Sequence, residues 1–219
     1  PSGAMPYIVQ FENLPTAEAP AAEVLVEDFV DPGLDLTTFR LGHIQIGDTT
    51  IDVPAGRSSF EGRVDLRTAR GVYVDIAAGI DVGARKAFWK FTSIDPETGL
   101  LPESALVGFL PPNGPSGAGE GMVQYTLSPL PTLPSGASIT NQASIVFDVN
   151  APILTEVVTN TIDATAPVSL LSRGLEETGT TNTVQLTVIG DDASGSGVAE
   201  ILVYVSDDGG PFQAWQTVG

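Results

Sequence analysis

This 219-residue chain contains no cysteine. That absence excludes thiol nucleophiles, zinc–thiolate centres and disulfide staples together. Stability must then come from the core, from bound ions or from neighbouring domains. Basic residues are scarce too: nine Lys plus Arg stand against 27 Asp plus Glu, a formal charge of -18. Such a chain repels nucleic acid and anionic lipid, and counterion release cannot draw it onto DNA. An acidic surface attracts cations, but it is equally a solubility device. Histidine occurs once, as His43. A Ser–His–Asp triad would have to use it, and no nucleophile-elbow sequence accompanies it. P-loop and dinucleotide fingerprints are missing. No apolar run approaches the ~20 residues that a membrane-spanning helix needs.

What is present reads as β-structure. Twenty-four glycines and 17 prolines punctuate short runs rich in Val, Ile, Thr and aromatics, the signature of an all-β chain. In "YIVQFEN" Tyr7, Val9 and Phe11 share one face. In "AEVLVEDFV" Val24, Val26 and Asp28 oppose Leu25, Glu27 and Phe29. A hairpin is expected through Gly47-Asp48, two strands flank Ala69-Arg70-Gly71, and "KAFWKFTSI" is an aromatic strand. The Pro/Gly-rich stretch 95–121 is a long loop. Leu100, Leu101, Leu106, Val107, Phe109 and Leu110 suggest that it packs on the sandwich. "SITNQASIVFDVN" and "ILTEVVTNTID" supply two closing strands, broken at Asn150-Ala151-Pro152 because Pro152 lacks a donor.

The domain reading follows. The first five residues, "PSGAM", read as a cloning remnant. Residues 6–162 form a β-sandwich, 163–167 a short linker, and 168–219 an incomplete immunoglobulin-like domain of about four strands where about seven are needed. The expected fold class is all-β, two consecutive β-sandwich (immunoglobulin-like) domains with the second incomplete. Its unpaired edges call for cover by a partner chain or a missing piece.

Three segments carry a resemblance: "FENLPTAEAPAAEVLVEDFVDPGLDLTTFRLG", "SIDPETGLLPESALVGFLPPNGPSGAGEGMVQYTL" and "ITNQASIVFDVNAPILTEVVTNTIDATAP". Over roughly Tyr7 to Pro167 the chain resembles an uncharacterised β-sandwich repeat of large secreted, multidomain bacterial proteins. The segment with "DDASGSGVAEILVYVSDDGGPFQAW" resembles a bacterial immunoglobulin-like or fibronectin type III-like repeat. These resemblances imply a secreted or cell-surface setting, arrayed with other sandwich modules. They carry no activity over to any residue.

Candidate sites are weighed on residue chemistry. In a sandwich the second strand returns to the pole at which the first begins. The loop Gly190–Gly197 therefore shares a pole with the linker that brings Asp163. Asp163, Asp191 and Asp192 are the candidate metal ligands, with Ca2+ as the ion, because hard cations take several oxygen ligands. The plainer reading is turn chemistry, since Asp and Gly are what turns use, and no EF-hand pattern is present. "SDDGG" is a hairpin turn at the opposite pole, and Asp95 reads as an Asx-type turn. Asp148 and Asn150 fit a strand end broken by Pro152. A glycosidase pair would need two carboxylates at a defined separation. Lys90 with Asn141 or Asn150 is a conceivable cross-link; exposed lysines are the plainer reading. Trp89, Phe88, Phe91, Tyr204 and Trp215 could build a sugar platform, with Trp215 the candidate for exposure.

The expectation is a non-enzymatic structural or adhesive module of a secreted or cell-surface bacterial protein, a spacer or interaction scaffold stiffened by calcium at the domain junction. Its partners would be neighbouring domains of the same chain, and protein or glycan at a surface, without nucleic acid or membrane insertion. The alternatives are a carbohydrate-binding module using exposed aromatics and an accessory domain of a larger secreted enzyme.

Overall fold

Alternation in the N-terminal strands decides which side chains meet in the core. The computed structural model describes residues 3–174, 185–193 and 195–219. In β1 (Met5–Glu12) Tyr7, Val9 and Phe11 are buried and the residues between them are exposed. In β2 (Glu23–Phe29) Val24, Val26 and Asp28 are fully buried. The remaining elements in the first 131 residues are β3 (Leu34–Ile46), β4 (Thr49–Ile51), β5 (Phe60–Leu66), α1 (Arg67–Arg70), β6 (Val72–Asp81), β7 (Lys86–Ile94) and β8 (Glu120–Pro129). The expected hairpin at Gly47-Asp48 joins β3 to β4, with Ile46 opposite Thr49. The single turn α1 separates β5 from β6 and ends at Gly71, left-handed at φ 76°.

The C-terminal strands are β9 (Ser138–Asn141), β10 (Ala143–Phe147), β11 (Ile153–Leu154), β12 (Val158–Thr161), β13 (Val168–Arg173), β14 (Leu186–Asp191), β15 (Ile201–Val205) and β16 (Gln213–Val218). The run expected as one strand after Pro152 is two short ones. β11 pairs with β10, and β12 with β9. Thr155 is the break: its N–H donates to the Ala143 carbonyl at 2.9 Å, and its hydroxyl accepts from the Ala143 N–H at 3.0 Å.

The chain forms two compact units. One comprises Ser2–Pro131 and Ile139–Asn160; the other comprises Thr132–Ser138 and Thr161–Gly219. The first is a sandwich of a four-stranded sheet, ordered β1-β8-β3-β4, on a six-stranded sheet, ordered β11-β10-β2-β7-β6-β5. All of their named pairings are antiparallel. Aromatic rings stitch the two sheets together. Trp89 of the larger sheet lies 5.4 Å from Tyr125 and 6.5 Å from Phe39 of the smaller, and Tyr7 stacks on Tyr125 at 4.8 Å. Such offset pairs add to what their buried area contributes.

Part of the long loop packs as expected and part does not. Phe109 and Leu110 are buried, Phe109 stacking on Phe91 at 5.8 Å. Leu110 forms an antiparallel bridge to Ala21. Leu100, Leu101 and Leu106 face solvent, Leu106 being 73% exposed. The turn around Asp95 accounts for the early part: Asp95 accepts from the Glu97 and Thr98 N–H groups and keeps 95–99 hydrogen-bonded to itself.

In the second unit, β13 pairs with β14 and β15 with β16 as two separate two-stranded sheets. Val203 and Ile162 are buried, but Val168, Leu170, Leu171, Ile189 and Leu202 are more than half exposed. Among the described residues each sheet has two strands, too few to cover both faces.

Candidate functional site

Polar side chains gather in two places: the 190–197 loop of the second unit and the interior of the first sandwich. Asp163 follows buried Ile162. Its Oδ2 accepts from the Ser196 N–H at 3.0 Å and the Ser196 hydroxyl at 2.8 Å, and its Oδ1 accepts from the Thr165 N–H at 3.2 Å. Those bonds, the Ser196 N–H foremost, hold its carboxyl below the ordinary value. Asp191 Oδ1 accepts from the Ala193 N–H at 2.8 Å, an Asx turn.

Asp192 differs from both. It is 7% exposed, its Oδ2 accepts from the Gly197 N–H at 2.7 Å, and its Oδ1 is buried without a hydrogen-bond partner among the described residues. Gly195 lies directly over that carboxylate, so close that a Cβ there would collide with it. Asp163 thus meets the loop through Ser196, while Asp191 and Asp192 serve its backbone. Among the described residues no group of three or more His, Cys, Asp or Glu side chains is arranged to hold a metal ion. An ion here would have to rely on Asp192 Oδ1 and on backbone carbonyls, both of them oxygen ligands that suit calcium.

The second gathering was not singled out from sequence. Asp28 is fully buried between the sheets. Its Oδ2 accepts from the Tyr125 hydroxyl at 2.7 Å, and its Oδ1 accepts from the Asn141 side-chain amide at 2.7 Å. The same amide reaches the Tyr125 oxygen at 3.2 Å. Burial raises the Asp28 carboxyl above its ordinary value, against the lowering effect of the two donors. Burial, together with the nearby Asp28 charge, also raises the Tyr125 phenol, and it pushes Tyr7 up to about 12. One signal was available in the sequence: an Asp in the inward phase of an alternating strand, beside Val24 and Val26.

Other acids bind the fold together. Asp148 Oδ1 accepts from the Ala22 N–H at 2.9 Å and the Glu23 N–H at 2.8 Å, which caps the start of β2. Asp148 itself takes φ 51° to do so. Turn chemistry at a broken strand end is therefore only part of its role. Asp31 accepts from the Gly33 N–H and from the N–H and hydroxyl of Thr140. Burial would raise its carboxyl, but these bonds bring the net shift below the ordinary value.

The remaining candidates disperse. His43 is exposed, with Nδ1 3.1 Å from Asp52 Oδ1. Lys90 Nζ lies 3.5 Å from Glu23 Oε1 on the outer face, whereas Asn141 faces Asp28, so the two do not meet as a cross-link requires. Asn150 is exposed, its N–H donating to the Phe147 carbonyl. Lys86 pairs with Glu27 at 2.6 Å. Trp89 and Phe91 are core and Phe88 is half-buried. Trp215 on β16 is 57% exposed, and Tyr204 and Phe212 are exposed on the same hairpin segment. Among the described residues no helix is long and apolar enough to cross a membrane.

Comparison with known proteins adds two likenesses. A family model described as a domain of unknown function, DUF7619, matches residues 109–161, less than half of the chain. That stretch opens on buried Phe109 and closes on the last residue of β12. Among solved structures, the chain is similar to domains D2 and D3 of the major pilin SpaD from Corynebacterium diphtheriae. The likeness has 15% sequence identity and a TM-score of 0.40, and covers 83% of this chain and 53% of that one. This chain therefore spans about half the length of the pilin structure it matches. No curated protein matches it.

Proposed function

We propose that the chain is a structural and interaction module of a secreted or cell-surface protein, without catalysis of its own. The observation that carries this reading is how its carboxylates are used. Asp28 ties Tyr125 to Asn141, Asp31 ties to Thr140, Asp148 caps β2, and Asp163 holds the 190–197 loop. Acid–base or nucleophilic work needs a titratable group facing a substrate. These groups face backbone amides and the side chains of Tyr125, Asn141, Thr140 and Ser196. An acidic surface and a sandwich locked by long-range polar bonds suit a load-bearing spacer.

Calcium forms part of the same proposal, centred on Asp192, with Asp163 and Asp191 as the further candidate ligands. A buried carboxylate oxygen without a donor is costly to leave bare, and a cation would offset that cost. A melt of the whole chain with calcium and then with chelator tests it. Calcium at a hundredfold its Kd is expected to stabilise the folded state by about 2.7 kcal/mol, and an Asp192→Asn variant is expected to lose that response. Identical melting curves with calcium and with chelator would remove the ion from the proposal.

The exposed aromatics Trp215, Tyr204 and Phe212 favour a second reading, carbohydrate binding on the β15–β16 hairpin. An incompletely covered sheet face accounts for them without a ligand. On a glycan array the structural reading expects no saturable signal. A signal abolished by Trp215→Ala would instead establish the carbohydrate reading.

A further inference from the structure

We propose that the cleft bounded by β1 and β11 is a docking groove for an extended cationic segment of another protein, which adds as a strand along the free edge of β1. This names a partner class for the interaction module and rests on that reading. The cleft has a volume of about 680 Å³ and is lined by the end of β1 (Gln10–Glu12) and by β11, with residues of β3, β8 and β10 between them. β1 and β11 are the edge strands of the two sheets on that side of the sandwich, each with a neighbour on one flank only among the described residues.

Three observations converge. The first is backbone supply. All eight residues of β1 are in continuous register with β8, so from Tyr7 to Glu12 its other edge is a regular row of N–H and C=O groups, while Pro6 has no N–H to offer. Edges of this kind are normally blunted by lysine, proline, bulges or covering segments. β1 has no lysine and no bulge, and its one proline, Pro6, stands near its start. The six residues Tyr7–Glu12 span about 20 Å at the usual strand rise.

The second is apolar supply. Phe11 and Phe147 meet edge-on at 6.3 Å within the cleft wall, with Ile145 beside them. Leu14, Ile153 and Leu154 line the same cleft and are all more than half exposed. An added strand places alternate side chains on one face, and those would cover these residues.

The third is charge, and it selects the occupant. Glu12 and Glu120 face each other across the β1–β8 pair and both line the cleft. The Asn113 side-chain amide reaches Glu12 Oε2 at 2.8 Å and Glu120 Oε1 at 3.1 Å, holding the two carboxylates at the mouth. Among the described residues no lysine, arginine or histidine lines the cleft. The groove therefore presents an apolar wall ending in two uncompensated acids. A second copy of this chain, at formal charge -18, would bring more acid to them. A strand with Lys or Arg at its end brings the complement. Main-chain pairing supplies affinity in such additions, and side-chain pockets supply specificity.

The test uses the whole chain and a labelled peptide of alternating valine and threonine with lysine at both ends. Saturable binding in fluorescence anisotropy is expected, with slowed amide hydrogen exchange on Met5–Glu12. The double substitution Glu12→Gln with Glu120→Gln is expected to weaken binding about tenfold, which corresponds to about 1.4 kcal/mol; Leu154→Lys is expected to do the same. Unchanged melting curves show that these surface variants fold. Three results would overturn the proposal: no saturation up to millimolar peptide, equal binding of the same peptide ended with glutamate, or protection on strands other than β1. Concentration-dependent dimers with β1 protected would assign the groove to a second copy and equally overturn it. A blank with folded protein leaves the spacer reading standing, since that reading is tested by the glycan array.

Discussion

Replacing Asp28 with alanine is expected to destabilise the first sandwich by about 2–3 kcal/mol, measured by urea unfolding at pH 7. The substitution strands the buried Tyr125 hydroxyl and removes one acceptor from the half-buried Asn141 amide, which keeps its 3.2 Å contact with the Tyr125 oxygen. A buried donor left without a partner costs about 1–3 kcal/mol. Part of that loss is offset, because the carboxylate itself is expensive to keep in a dry interior. Asp28→Asn keeps an acceptor for Asn141 and removes the charge, so it is expected to cost less than alanine. Comparing the wild type with Asp28→Asn also isolates a pH effect. The folded carboxyl is raised above its unfolded value of 3.8. Below that value both states hold the proton. As pH climbs from there through the raised folded value, the unfolded state binds fewer protons than the folded one, and the Asp28 contribution to stability falls. The asparagine variant should therefore gain on the wild type across that window. Asp31 and Asp95, whose carboxyls are lowered, act in the opposite direction but cancel in the comparison. Parallel stability curves from pH 4 to 8 would contradict this account.

The second large effect is expected at Gly108. Its neighbours Phe109 and Leu110 are buried. They are anchored by the Leu110 bridge to Ala21 and by the Phe109 N–H bond to the buried Ser93 hydroxyl at 3.0 Å. At Gly108 the loop passes so close to the Ala21 carbonyl that a Cβ would overlap it. Both sides of that contact are backbone, so neither can swing away. Overpacking of this kind costs about 1–3 kcal/mol, and relieving it by undocking would expose Phe109 and Leu110 at about 1.5–3 kcal/mol each. Gly108→Ala is thus expected to lose about 3 kcal/mol and to open 95–119 to limited proteolysis. Leu106→Ser, at an exposed position of the same loop, is expected to stay within about 0.5 kcal/mol of wild type. If Gly108→Ala melts like the wild type, the loop is not pinned there.

These two sites mark where sequence reading runs out. Period-two alternation is a local property, and it put Tyr7, Val9 and Phe11 on one face and Asp28 in phase with Val24 and Val26, as the structure has them. Asp28's partners come from β8 and from the end of β9, 97 and 113 residues away. No local pattern encodes that meeting. Asp148 shows the same limit. Pro152 announces a broken strand, but the amides that Asp148 caps lie 126 and 125 residues upstream. Composition alone also could not sort the loop's leucines, since which of them dock depends on where Ala21 and Ser93 stand.

The sequence by itself determined that this chain is all-β, placed turns at Gly47-Asp48 and around Gly71, and withheld the thiols that cysteine chemistry needs. Missing residue types and alternation need no partner to be read, because a side chain's facing follows from its neighbours in the chain. Only the tertiary structure decided what the polar groups do. It made Asp28 the centre of a buried network, turned Asp163 toward Ser196, left Asp192 Oδ1 without a partner among the described residues, and opened a cleft between two strands that are far apart in sequence. A hydrogen bond and a groove are both set by which distant backbones close on one another. That closure is a balance over the whole core, and no single stretch of residues carries it.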